Sequence, residues 1–181
     1  MERGFSMQIY LIRHTSVAVA PGTCYGQTDV ATADTFEEEA AVTKSHLDGI
    51  MFDRVYTSPL TRASKLAAFC GYPQAIRDDR LKEMNMGEWE MRRYEEIDDP
   101  ALEAFYEDFL HRPATGGESF PILYQRVASF LDELKGQPFE RVAVFAHGGV
   151  LICAGIYGGL FTAEEAFDHQ TGYGGIEVIG V

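Results

Sequence analysis

Apolar residues along the chain follow two rhythms. Short, β-branched runs at 8–12, 54–58 and Arg141–Ala146 have the length and composition of strands, and 175–181 supplies a last one. Between them the period lengthens. Ile122, Leu123, Val127, Phe130, Leu131 and Leu134 form a stripe at helical spacing that stops before Gly136. Leu60, Ala63 and Ala67 predict a helix over 60–69. In Phe36–Leu47 the residues Glu37, Glu38 and Glu39 occupy the first turn, where a helix dipole favours them. Pro100 suits the first turn of a helix expected to reach residue 110, and 150–157 reads as an apolar helix packed on a sheet. Residues 21–27 read as a loop, and 80–99, which lack a clean period, as an ordered loop. Strands alternating with helices predict an α/β fold, a three-layer sandwich around a largely parallel central sheet. No repeat or linker interrupts the pattern, so residues 1–181 are expected to form one domain, with 1–6 a disordered N-terminal extension.

Charge narrows the range of partners. The 181 residues contain 15 Lys and Arg against 28 Asp and Glu, a formal charge of −13. So acidic a chain lacks the basic face that nucleic acid or an anionic membrane surface requires. Hydrophobic residues at 46% exclude wholesale disorder. No apolar run approaches the roughly 18 residues of a membrane span, and the N-terminus has no signal-like apolar core, so a cytoplasmic protein is expected. The pattern leaves the oligomeric state open. Cys24, Cys70 and Cys153 are odd in number and far apart, which fits neither a disulfide framework nor a redox pair. Cys70 and Cys153 lie among apolar residues and read as buried thiols; Cys24 lies in the predicted loop.

Polar residues end three of the apolar strands. Arg13-His14 closes the first, Ser58 with nearby Arg62 the second, and His147-Gly148-Gly149 the third. Taken singly, a strand-end histidine is commonly structural and a helical arginine commonly solvated. Their coincidence at three carboxyl ends is what points to a site, because open α/β sheets bind ligands there. Arginine's planar fork matches phosphate oxygens, and glycines at a helix start leave backbone N–H groups open to an anion. A small phosphorylated metabolite is the expected partner. There is no phosphate-binding Gly-x-x-x-x-Gly-Lys loop, dinucleotide fingerprint, zinc-ligand spacing or Gly-x-Ser-x-Gly elbow, so neither a cofactor nor a metal is expected. His46, His111 and His169 have no ligand-like neighbours and read as surface or loop residues.

These residues resemble a known group. Leu11-Ile12-Arg13-His14-Thr15 is similar to the Arg-His motif of the histidine phosphatase superfamily, which has the phosphoglycerate mutase-like fold. Thr57-Ser58-Pro59-Leu60-Thr61-Arg62-Ala63, Leu81-Lys82-Glu83 with Gly87-Glu88-Trp89-Glu90, and Ala146-His147-Gly148-Gly149 match its later motifs in order. The resemblance implies His14 as nucleophile, forming a phosphohistidine, with Glu83 as acid and base and His147 as a third catalytic group. Arg13, Arg62 and Gly148 would bind phosphate. The arginines would also hold the His14 pKa down. The stretch 87–92, with Cys24-Tyr25-Gly26-Gln27 and Gly116-Gly117-Glu118-Ser119, is most similar to α-ribazole phosphatases of cobalamin nucleotide-loop assembly. Substrate contacts are expected from Thr15, Gln27, Trp89 and Glu118, although Trp89 reads first as packing. Ala20 stands where many members have a phosphate-contacting Asn, which Thr15, Thr23 or Gln27 would replace. Other functions within reach of the fold are a mutase-like phosphotransferase, a broad sugar or protein phosphatase, and an inactive phosphate-binding module.

Overall fold

The first strand of the computed structural model, which describes residues 6–181, is β1 (Gln8–Arg13). A two-residue strand, β2 (Thr23–Cys24), lies within the first long loop, and α1 (Phe36–Leu47) follows it. Next come β3 (Arg54–Thr57), α2 (Thr61–Phe69), β4 (Ile76–Arg77) and β5 (Arg92–Arg93). The order closes with α3 (Pro100–Glu107), α4 (Phe120–Lys135), β6 (Arg141–Ala146), α5 (Gly148–Tyr157) and β7 (Ile176–Gly180).

Five strands form the central sheet in the order β4-β3-β6-β1-β7. All neighbours are parallel except β7, which runs antiparallel to β1. Strand β6 takes the middle because Val142 to Ala146 are apolar on both faces and all are buried. Helices α4 and α5 cover one face through Leu123, Val127, Phe130 and Leu151; α1 and α2 cover the other through Phe36, Ala40, Leu66 and Ala67. This is the three-layer α/β architecture that the hydrophobic rhythm predicts. Register matters most for the site. Arg13 pairs with Ala146 and Thr57 with Phe145, so β1, β3 and β6 end level with one another.

Differences from the sequence reading are local. Helix α3 stops at Glu107 rather than residue 110, because Asp108 leaves helical geometry and turns Phe109 onto Phe120. Helix α5 starts at Gly148, two residues earlier than expected. Strand β4 has two exposed residues, too few to show a period. The stretch 80–99 holds short 3₁₀ turns at Gly87–Trp89 and Tyr94–Glu96, and its β5 pairs with β2. Its order comes from close backbone contact. Gly87 has φ +58°, and a Cβ there would strike the Thr115 carbonyl. Cys24, expected on a loop, is buried in β2, and all three cysteines are free. The expected extension over residues 1–6 lies outside the described residues except for Ser6, which is exposed; Met7 is buried and pairs with Val181. Among the described residues, no helix is long and apolar enough to cross a membrane.

Candidate active site

The level strand ends bring His14 and His147 together, with ring centroids 5.2 Å apart. His14 follows β1, is 2% exposed, and donates from Nδ1 to the Thr15 carbonyl at 2.7 Å. That tautomer leaves Nε2 with a free lone pair. His147 caps α5, and its Nε2 lies 2.8 Å from Ser58 Oγ at the end of β3. Ser58 Oγ also accepts the Leu60 N–H; in the tautomer where Ser58 donates to Nε2, the His147 proton sits on Nδ1.

Two guanidinium groups flank the histidines. Arg62, on the inner face of α2, is fully buried and donates to the carbonyls of Gly26 at 2.6 Å and Thr28 at 2.8 Å. Arg13 donates from Nη1 to the Thr171 carbonyl at 2.7 Å. Gly148 lets it lie against the start of α5, since a Cβ there would stand 3.3 Å from the guanidinium carbon. Arg13 Nε, Arg62 Nε, Thr15 Oγ1 and His147 Nδ1 are buried with no partner among the described residues. Each can donate a hydrogen bond. Buried donors left unmatched by protein atoms are what an oxyanion ligand would satisfy.

Glu83 reaches this edge from the ordered loop. Its carboxylate accepts the N–H groups of Met84 at 2.8 Å and Gly149 at 3.1 Å. Glycine at 149 leaves room for this carboxylate, because a Cβ there would collide with Glu83 Oε1 and displace it. The Glu83 carbonyl accepts Gln27 Nε2 at 3.0 Å, so the Gln27 amide is engaged in holding the loop. Arg126, on α4, was not singled out in the sequence. It donates to the carbonyls of Arg80, Lys82 and Glu83 and forms a two-pronged ion pair with Glu118. An arginine on a helical polar face gives no signal of this role; only Glu118 in the Gly-Gly-Glu-Ser segment hinted at a partner.

Two expected substrate contacts are corrected by this arrangement. Glu118 turns its carboxylate to Arg126 and the Asn85 N–H instead of the pocket. Trp89 is wholly buried, with Nε1 bonded to Asp99 at 2.9 Å and its ring edge-on to Phe105. The Thr15 hydroxyl is buried without a partner among the described residues, while Ala20 is exposed and Thr23 lines the adjoining cavity. That cavity, about 700 Å³, runs from Glu83 and Gly149 between Tyr25, Tyr94, Phe105, Phe109, Phe120 and Phe167. His46, His111 and His169 are exposed, as expected.

Residues 9–178 match the histidine phosphatase superfamily (branch 1). The chain belongs to that superfamily. The phosphatase is 31% identical over 159 residues to the adenosylcobalamin/alpha-ribazole phosphatase of Escherichia coli K12, covering 80% of this chain and 75% of that one. It is 28% identical to phosphoserine phosphatase 1 of Hydrogenobacter thermophilus, over 76% of this chain and 69% of the relative. The crystal structure of the alpha-ribazole phosphatase from Shigella flexneri superposes with a TM-score of 0.86 at 27% identity, covering 95% of this chain and 89% of that one.

Burial governs the electrostatics of the phosphatase. It pushes the His14 pKa down to about 3, with the charges of Arg62 and Arg13 as smaller contributions in the same direction and the Thr15 hydrogen bond opposing. Withdrawal from water is thus a larger cause than the arginines that the resemblance implies. Burial also holds His147 well below its ordinary value, followed by the nearby His14 and Arg62. Both imidazoles are neutral at pH 7. Neutral His14 offers a nucleophilic nitrogen, and neutral His147 offers a donor.

Proposed function

We propose that the phosphatase hydrolyses α-ribazole 5′-phosphate, a benzimidazole riboside monoester, through a phosphohistidine on His14. The observation that carries the substrate reading is the aromatic cavity of about 700 Å³ that opens directly beside the Glu83 carboxylate. An uncharged aromatic leaving group gains from such walls, whereas a sugar or an amino acid would lose hydration there without replacement partners.

His14 Nε2 attacks phosphorus in line with the leaving oxygen. Arg13, Arg62 and His147 take up the negative charge on the phosphoryl oxygens, and Thr15 adds a further donor. Protonated Glu83 passes a proton to the departing alkoxide. As carboxylate it then takes a proton from the water that opens the phosphohistidine, which restores His14 and releases phosphate. The relatives' names support this reading, as does the level register that sets both histidines at one edge.

Phosphate release from α-ribazole 5′-phosphate, compared with phosphoserine, 3-phosphoglycerate and hexose phosphates, tests the substrate. The expected kcat/KM for the riboside exceeds the others by at least about tenfold, the order of one buried aromatic contact. Equal or faster turnover of phosphoserine would overturn the assignment. His14→Ala is expected to abolish turnover and phosphoenzyme labelling together.

A further inference from the structure

Two tyrosines that the mechanism above leaves out stand over the phosphoryl site. Tyr25 follows β2, and Tyr173 lies in the loop before β7. Their hydroxyl oxygens meet at 3.3 Å. Each ring also covers one of the two arginines: the Arg13 guanidinium carbon is 4.3 Å from the Tyr173 ring centre, and that of Arg62 is 5.0 Å from the Tyr25 ring centre. The Tyr173 ring is 5.7 Å from that of His14.

The backbone repeats the arrangement. Arg62 holds the carbonyls of Gly26 and Thr28, on either side of Gln27 and next to Tyr25. Arg13 holds the Thr171 carbonyl, while the Gly174 N–H bonds to the His14 carbonyl at 3.0 Å. Each tyrosine is therefore tied to one arginine through its ring and through its loop. The arginines themselves come from different elements, β1 and α2, and are joined above the site through the phenol pair.

We propose that Tyr25 and Tyr173 are a positioning pair whose hydroxyl–hydroxyl bond sets the span between Arg13 and Arg62. This inference rests on the phosphoryl-transfer reading of the site. Charge on the equatorial oxygens spreads as the bond to the leaving group breaks, and stabilising it depends on donors held within about 0.5 Å of their places. Ground-state phosphate tolerates a looser span. The pair therefore acts on the transition state more than on binding.

Tyr25→Phe, Tyr173→Phe and the double variant test it, since phenylalanine keeps both rings over the arginines and removes only the bridge. Turnover of an aryl phosphate is measured alongside the affinities for vanadate, which adopts the five-coordinate geometry of transfer, and for inorganic phosphate. Each single variant is expected to lose about 3- to 10-fold in kcat and in vanadate affinity, the order of one hydrogen bond, with phosphate affinity changed less than about twofold. Because both single changes break the same bond, the double variant is expected to match either single one. Losses that multiply in the double variant, unchanged singles, or equal losses of vanadate and phosphate would each overturn the positioning role. Full turnover in His14→Ala would instead sink the underlying phosphohistidine reading, whatever the tyrosine variants do.

Discussion

His14 keeps its proton on Nδ1 because the Thr15 carbonyl accepts it, and the surrounding core keeps the ring from taking a second. That state has a cost at acid pH. Unfolded, both histidines titrate near 6.5; folded, His14 does so near 3 and His147 also lies well below 6.5. As pH falls from 6.5 the unfolded chain binds protons that the folded chain refuses. Stability is then lost, approaching about 1.4 kcal/mol per pH unit for each histidine. Urea unfolding between about pH 6.5 and 5.5 should show this slope, and His14→Asn should flatten it by roughly one histidine's share. Glu83→Gln should lower kcat by about 10²- to 10⁴-fold while inhibition by phosphate persists. Gly149→Ala should reproduce part of that loss, because its Cβ would force the Glu83 carboxylate from its place. Steady-state kinetics on both variants checks the pair.

At the scale of elements, α4 does more than cover the sheet. Arg126 on its inner side gathers the carbonyls of residues 80, 82 and 83, and Glu118 gathers the Asn85 N–H, so one ion pair shapes the loop that carries Glu83. Lysine cannot span these positions with its single ammonium. Arg126→Lys should therefore reduce kcat by about 10- to 100-fold through misplacement of Glu83, with phosphate affinity nearly unchanged. Equal loss in both would show that the loop also shapes the phosphoryl site. Residues 80–99 are ordered although they lack a hydrophobic period. The order arises from backbone contacts between residues 85–88 and 115–118, which no local period encodes.

Across the whole molecule, a chain of net charge −13 encloses a cationic strand edge and an apolar cavity side by side. The cavity wall draws Tyr25 from the first loop, Phe105 from α3, Phe120 from α4 and Phe167 from the turn before β7. Phe167 is 49% exposed and packs edge-on to Phe109 at 4.2 Å, so it can be trimmed without opening the core. Phe167→Ala should raise KM for aromatic monoesters by about 3- to 10-fold and leave small alkyl phosphates unaffected. Comparing KM values for the two classes in the variant and the parent checks this.

Strands 8–12 and Arg141–Ala146 could be read from the chain because a buried parallel strand needs an unbroken β-branched run. Arg13, His14, Arg62 and His147 could be read because each sits at or beside the polar end of such a strand. Those features are local, so the sequence by itself determined the layered α/β class, the family and the residues gathered at the strand edge. Long-range contacts decided the rest. Trp89 became core once Asp99 met its indole, Glu118 became a strut once Arg126 reached it, and the aromatic cavity exists only where four distant segments converge. The Tyr25–Tyr173 bond spans 148 residues of sequence. Hydrophobic period and motif spacing are written over a few residues, whereas the partner of a polar side chain is chosen by which segments the core brings within hydrogen-bond reach.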